Sequence, residues 1–252
     1  MAKRIISGLV FLIAILAYGC GQSDRYADLP TRRSEVTPSG IKLGGVLRLN
    51  EEAAPRSLDP VLISEDAGHH VGDQIYESLL EFDDRLNLIP GLAERYEISE
   101  DGKIYTFYLR KGVVFHDNPC FPSGKGREML ASDVKYTFSR VLHPDSRSTG
   151  VWVFEDIVEG ARDYLNGKAE EVTGFQVLDD YTFQVRLVRP FSPFKYRMAM
   201  AYCFIHPREA VDYYGAEFFQ NPVGTGPFQF VYWKPNQEIL LKRNQIGRAS
   251  CR

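Results

Sequence analysis

Between Glu94 and Arg110 the chain reads ERYEISEDGKIYTFYLR, two alternating runs of aromatic and β-branched residues that meet at Asp101-Gly102. An Asp-Gly pair tolerates the positive φ of a tight turn, so the segment predicts an antiparallel hairpin. The arrangement recurs at VTGFQVLDDYTFQVRL (172–187), turning at Asp179-Asp180, and at FQFVYWKPNQEILLKR (228–243), turning at Lys234-Pro235-Asn236. Hairpins of this kind argue against a purely parallel βαβ sheet. Helical patterns lie between them. Val71, Ile75 and Leu79 form one apolar stripe. SDVKYTFSRVL (132–142) puts Val134, Phe138 and Val141 on one face, with Ser132 expected as its N-cap. PREAVDYYG (207–215) is expected to start with Pro207 at the first helical position and stop at Gly215. Order is expected to begin at Gly45-Val46, where VLRLN (46–50) alternates as a strand. The fold class is therefore α+β, a mixed α/β pattern.

The ends read differently from the middle. Lys3 and Arg4 precede an apolar run from Ile5 to Leu16, followed by Ala17-Tyr18-Gly19 and Cys20. This is the layout of a signal peptide over 1–19. A cysteine at the cleavage point resembles a bacterial lipobox, with Cys20 as the lipidated residue, although Ala17 stands where Leu is usual. Residues 20–43 are polar and contain Pro, Ser and Gly, a flexible-tether composition behind a lipid anchor. From Ile246 the chain reads IGRASCR, which corresponds to one frame of a common sequencing-adapter oligonucleotide; 246–252 is read as a non-native tail. Lys3, Arg4, Arg248 and Arg252 lie in these end segments, so without them the formal charge of −3 becomes −7. An acidic body lacks the basic footprint of a nucleic-acid binder. Cys120 and Cys203 remain as a disulfide candidate in an oxidising compartment, or as two separate thiols.

The residues offer little to an enzyme. The chain has no H-E-x-x-H, C-x-x-C, G-x-S-x-G or P-loop pattern, and Gly224-Thr225-Gly226 lacks the third glycine of a dinucleotide fingerprint. No metal or cofactor is expected. His69-His70 could touch a ligand, but adjacent helix positions point apart, so they read as solvated residues at a helix start. His116-Asp117 reads as a pair stabilising a turn, because no nucleophile or base partner stands nearby in sequence. Tyr136 lies about 200° around its helix from Val134 and Phe138, off the apolar stripe. It is expected to line a cleft or to pack on a second layer.

The run LAERYEISEDGKIYTFYLRKGVVFHDNP resembles the family 5 extracellular solute-binding proteins of ABC importers, the oligopeptide- and dipeptide-binding type, whose pattern LAxSWExSxDGxxYTFxLRxGVxFHDG is followed from Leu92 to Asp117. GGVLRL at 44–49, SLDP at 57–60, QIYESLLEFD at 74–83, ASDVKYTFSR at 131–140 and NPVGTGPFQFVYWKP at 221–235 match in family order. Tyr96 replaces the usual Trp, Asn118 replaces the Gly after His-Asp, and an insertion containing Cys120 follows.

The resemblance implies a type II periplasmic-binding-protein fold, of which 44–245 is the first lobe, cut before the second. It implies capture of peptides or similar small solutes in a cleft, without chemistry, by a monomer at the periplasm or cell surface. The partners implied are ABC permease subunits, with the membrane reached through the lipid anchor. Ile63, Ser64, Glu65 and Asp66, in the loop after the L-D-P motif, are implied to line the cleft, and so is Tyr136 of the DVxYSF-like helix. An exported lipid-anchored enzyme and a surface lipoprotein that binds a protein partner are the competing classes.

Overall fold

In the computed structural model, residues 35–36 and 42–245 are described. The expected leader, the lipidation site Cys20, most of the tether and the expected tail at 246–252 lie outside them. The chain divides into two compact units, Met1–Asn50 and Glu51–Arg252. In the first, β1 (Glu35–Val36) pairs antiparallel with β2 (Lys42–Leu43). The strand expected at 46–50 is absent: Val46, Leu47 and Leu49 are exposed and no described strand pairs with them. Alternation marks a strand only where a neighbour accepts its backbone groups.

The second unit is built around a four-stranded antiparallel sheet in the order β5-β6-β8-β7. Its strands are β5 (Ala93–Ile98), β6 (Ile104–Leu109), β7 (Phe175–Asp179) and β8 (Thr182–Arg186). They are the first two hairpins expected from sequence, and β6 joins them by pairing with β8, Phe107 opposite Phe183. Tyr105, Phe107 and Leu109 alternate inward, as do Phe183 and Val185. On that face lies α2 (Ala131–Leu142), whose Phe138 ring stands 5.7 Å from Phe175 and 5.6 Å from Phe183. Val134, Phe138 and Val141 are wholly buried, as their spacing predicts.

Ser132 does not cap α2. Leu130 occupies the cap position, and its N–H donates to the Asp133 carboxylate at 2.9 Å. Asp133 is held there by Arg127, which donates to both of its oxygens at 2.7 and 2.8 Å and to both oxygens of Glu209 at 2.6 and 2.8 Å. Hydrogen bonding to Asp133 raises the Arg127 pKa against the opposing effect of burial, and the Arg127 bond lowers that of Glu209. One guanidinium thus ties the loop before α2 to α5 (Arg208–Tyr214). Pro207 is the residue before α5 rather than its first, and Gly215 ends it with φ +52°.

A second, smaller core surrounds α1 (Asp66–Ile75). Leu58, Ile63, Ile75, Tyr76, Ala201 and Phe204 form it, with Phe230, Trp233, Ile239 and Leu241 from the third hairpin packed against it. That hairpin is β9 (Phe228–Lys234) with β10 (Glu238–Arg243). The helix stops at Ile75, short of Leu79, because the Gly226 N–H takes the Ile75 carbonyl at 2.9 Å. A Cβ on Gly224 would fall 2.2 Å from that carbonyl oxygen, so the Gly-Thr-Gly segment serves close backbone approach. Leu79 instead enters the main core, just before β3 (Leu80–Phe82), which pairs with β4 (Leu88–Pro90). The remaining short helices include α3 (Ala161–Leu165) and α4 (Phe194–Arg197). No helix among the described residues is long and apolar enough to cross a membrane.

Phe138 sits where α2 meets the sheet. Phe138→Ala is expected to cost about 3–5 kcal/mol by urea unfolding. Leu178→Ala, on a half-exposed side chain of the outer strand region, is expected to stay within about 0.5 kcal/mol.

Candidate functional site

The segment Ser57-Leu58-Asp59-Pro60 folds into a tight turn by local hydrogen bonds. The Asp59 N–H donates to Ser57 Oγ at 3.0 Å, Asp59 Oδ1 accepts from the Val61 N–H at 3.2 Å, and the Asp59 carbonyl accepts from Leu62 and Ile63. Pro60 begins a 3₁₀ turn over Pro60–Leu62, where its missing N–H costs nothing. Asp59 is almost wholly buried, and a carboxylate there requires a counter-charge. Arg140 of α2 supplies it through two parallel bonds of 2.6 Å to the two carboxylate oxygens. Burial works against the Arg140 charge, but the Asp59 bonds more than offset it and raise its pKa.

His206 completes this junction. It is fully buried, and its pKa is lowered to about 4 by burial and then by the Arg140 charge. The neutral ring donates from Nδ1 to the Phe204 carbonyl at 3.1 Å and turns Nε2 toward Arg140 Nη1, 3.5 Å away. Tyr136 stands on the same face of α2 as Arg140, four residues earlier. Its ring meets His206 edge-on at 5.9 Å, and the Arg208 guanidinium lies 5.8 Å from its centroid. Burial pushes the Tyr136 phenol up to about 12.

Tyr136 lines an open concavity of about 480 Å³, with Ser139 and Arg140 of α2, Tyr164 of α3 and Arg208 and Asp212 of α5 around it. The turn at 143–146 closes one side with His143, Asp145 and Ser146. Tyr136 both borders this concavity and packs its ring edge-on against His206, so the two outcomes expected for it coexist. The implied loop is less uniform. The Ile63 side chain is wholly buried in the second core, so it lines no cleft with its side chain. Ser64 and Asp66 are exposed. Glu65 folds back to accept the Arg56 N–H at 2.7 Å and the Ser64 N–H at 3.3 Å. None of Ile63, Ser64, Glu65 and Asp66 lines the Tyr136 concavity. The Asp59–Arg140 fork joins the two segments in one frame, not in one pocket.

The other candidates resolve individually. His70 is exposed, and its Nδ1 lies 3.0 Å from Glu51 Oε2, which raises its pKa; His69 is half-buried. His116 is buried, its pKa lowered to about 4 by burial, and Nε2–H donates to the Gly226 carbonyl at 2.9 Å. Asp117 pairs with Lys125 at 2.7 Å and accepts the Gly126 N–H at 3.1 Å, so Asp117 braces the local loop, whereas the His116 ring serves a contact 110 residues away. Cys120 and Cys203 form no disulfide; both are free thiols. Cys203 is buried in the main core, which raises its pKa, and burial pushes Cys120 up to about 11. Among the described residues, no group of three or more His, Cys, Asp or Glu is placed to hold a metal. Sequence reasoning missed Asp59, Arg140, Tyr164, Arg208 and Asp212. Asp59 stood in the SLDP motif and Arg140 stood four residues from Tyr136, but nothing local marked Tyr164, Arg208 or Asp212.

Residues 87–245 match the family model described as bacterial extracellular solute-binding proteins, family 5 Middle. The dipeptide-binding protein of Escherichia coli is 34% identical over 200 residues, 76% of this chain and 36% of that protein. Heme-binding protein A of Haemophilus influenzae is 32% identical over 195 residues, 74% of this chain and 34% of that one. Among solved structures, the periplasmic binding protein DppA of Helicobacter pylori, in complex with the peptide STSA, superposes with a TM-score of 0.66 at 30% identity, covering 78% of this chain and 38% of that one. The periplasmic oligopeptide-binding protein OppAIV of Borrelia burgdorferi gives 0.72 at 28% identity, with coverages of 79% and 39%. The chain spans about a third of the length of the curated relatives it matches.

Arg140→Leu strands a buried carboxylate and is expected to cost about 3–5 kcal/mol by urea unfolding. Adding Asp59→Asn is expected to recover part of that loss in a double-mutant cycle. The two buried histidines set a pH dependence. Their folded pKa values of about 4 lie below the ordinary 6.5 of an unfolded chain. Their contribution is therefore full above pH 6.5 and is lost as pH falls toward 4, because the unfolded chain takes up protons the fold refuses. His116→Gln with His206→Gln is expected to flatten that slope in urea midpoints measured across the range.

Proposed function

The chain belongs to the family 5 bacterial extracellular solute-binding proteins, and from that membership we propose that it is the first-lobe portion of a substrate-binding component of an ABC importer, one that captures peptides. The observation that carries the reading is the matched segment at 87–245, which contains Tyr136, Ser139 and Arg140 on the wall of the concavity. Extended peptides suit such a wall, because main-chain groups give affinity without demanding one side chain. The relatives named for dipeptides and for a bound tetrapeptide support peptide as the solute class. The relative named for heme shows that relatives at similar identity bear other ligand names, which makes the solute the first thing to test.

In this reading the protein is not an enzyme. Ligand bridging two lobes shifts a population of open forms toward a closed one, which is then presented to permease subunits in the membrane. Residues 44–245 act as the lobe, 20–43 as a tether from a lipid on Cys20, and the mature protein works as a monomer on the outer side of the membrane. Ser64, Glu65 and Asp66 contribute backbone groups from a separate segment, outside the Tyr136 concavity.

Titration calorimetry of the full-length protein with di-, tri- and tetrapeptides tests this. Saturable one-site binding that weakens in Tyr136→Ala is expected. Failure of every peptide to bind, with another solute binding in their place, would remove peptide capture.

A further inference from the structure

Away from the concavity, α4 and the β3–β4 hairpin carry a run of aromatic and basic side chains. Trp152, Arg197, Phe191 and Arg189 stack alternately. The Arg197 guanidinium lies 5.3 Å from the Trp152 ring centre and 4.8 Å from that of Phe191, and Arg189 lies 5.7 Å from the Phe191 centre. Arg197 Nη1 donates to the Trp152 and Val153 carbonyls at 2.8 and 2.7 Å, which fixes the stack. Beside it, Lys195 stands 5.2 Å over Tyr196, whose ring stacks on Phe82 at 6.2 Å. Phe82, Trp152 and Tyr196 are each nearly half exposed. Among the described residues, Arg189, Lys195 and Arg197 form no ion pair. Asp156, the carboxylate that acts on Arg197, is paired with Arg162, and it lines a separate hollow with Glu155 and Asp163. The hairpin tip adds to this face. Asp83 is spent inside the turn, accepting the Arg85 and Asn87 N–H groups at 2.9 and 2.8 Å and Asn87 Nδ2 at 3.0 Å. The turn holds Leu86 outward, 79% exposed and with φ +60°, where a bulky side chain is disfavoured and here gains no burial in return. Asp84, exposed on the same turn, sets one negative charge against Arg85, Arg189, Lys195 and Arg197.

We infer that this face rests on the surface of an anionic phospholipid bilayer. Tryptophan and tyrosine suit the headgroup level, with the ring toward the acyl chains and the polar edge in water. Unpaired arginine and lysine add attraction to anionic headgroups within a Debye length of the surface. The contact is peripheral, since no helix among the described residues is long and apolar enough to cross a membrane. Neither hollow described for this lobe includes Phe82, Phe191, Trp152 or Tyr196. A projecting tip beside a short helix suits a deformable planar surface better than the close shape match a folded partner needs. The negative balance of the rest of the body opposes contact through its other faces, so contact here sets an orientation as well as a position. The inference goes beyond peptide capture, and its access to lipid rests on the exported reading above.

The test sediments the full-length protein that contains this chain, carrying Cys20→Ala so that no lipid anchor holds it, with vesicles. One set is phosphatidylcholine alone, the other equal parts of phosphatidylcholine and phosphatidylglycerol. Binding is expected to the mixed vesicles, roughly ten-fold weaker to phosphatidylcholine, and to fall as salt rises. Arg189→Glu with Lys195→Glu, at side chains that form no ion pair in the fold, is expected to weaken it roughly ten-fold or more. Leu86→Asn, which suits the positive φ and removes the apolar tip, is expected to weaken it about three-fold or more. Peptide titrations of the same variants are expected to match the parent, which shows that the fold and the capture site are intact. Absence of binding to the mixed vesicles overturns the inference and leaves peptide capture standing. Equal binding to both vesicle types overturns it as well, and so do variants that bind like the parent. Retention on immobilised polyglutamate without vesicle binding overturns it in favour of an acidic protein partner.

Discussion

Asp59 and Arg140 are 81 residues apart in sequence and meet as a nearly buried, two-bonded fork. Much of the site follows from that contact. Asp59 shapes the turn that leads into α1, and Arg140 sits one helical turn from Tyr136 on α2. A single bond would leave a hinge; two parallel bonds fix the plane and the spacing of both groups. The turn before Ser64 and the helix face under Tyr136 therefore hold one mutual position. Such a pair adds less net stability than its bond lengths suggest, because both charges were solvated in the unfolded chain. Removing one partner is costly all the same, since the other cannot return to water.

Arg127 performs a parallel task at the opposite end of α2. Its fork to Asp133 and Glu209 ties the start of that helix to α5, the helix that carries Arg208 and Asp212 into the same concavity. Held by an arginine near each end, α2 presents its apolar face to the sheet and its Tyr136 face to His206 and the concavity. The guanidiniums are consumed by this work.

The parts legible in the sequence were those decided locally. Asp101-Gly102 and Asp179-Asp180 each sit between alternating runs, and both hairpins form; the helical period at Val134, Phe138 and Val141 names the buried face of α2 correctly. Tyr136 stood out because it broke that period. The misses were decided by distant residues. Ile75 ends α1 because Gly226 reaches it, Asp133 rather than Ser132 serves Leu130 because Arg127 holds it, and Val46 to Asn50 form no strand because no ladder partner is present among the described residues. Ile63 looked like a cleft residue from its motif, yet its side chain fills the core beside Gly68 and Gly72. Tyr164, Arg208 and Asp212 come from separate helices, and no spacing along the chain could have gathered them.

In the proposed function, one frame closed by the Asp59–Arg140 fork holds the 64–66 turn and Tyr136 toward a bound peptide. A crystal structure of the full-length protein with a peptide bound tests it most directly. Peptide atoms are expected within hydrogen-bond reach of the Tyr136 hydroxyl and of the Ser64–Asp66 backbone, with both fork bonds intact. A peptide seated away from these groups, or a fork that opens when the peptide binds, would contradict it.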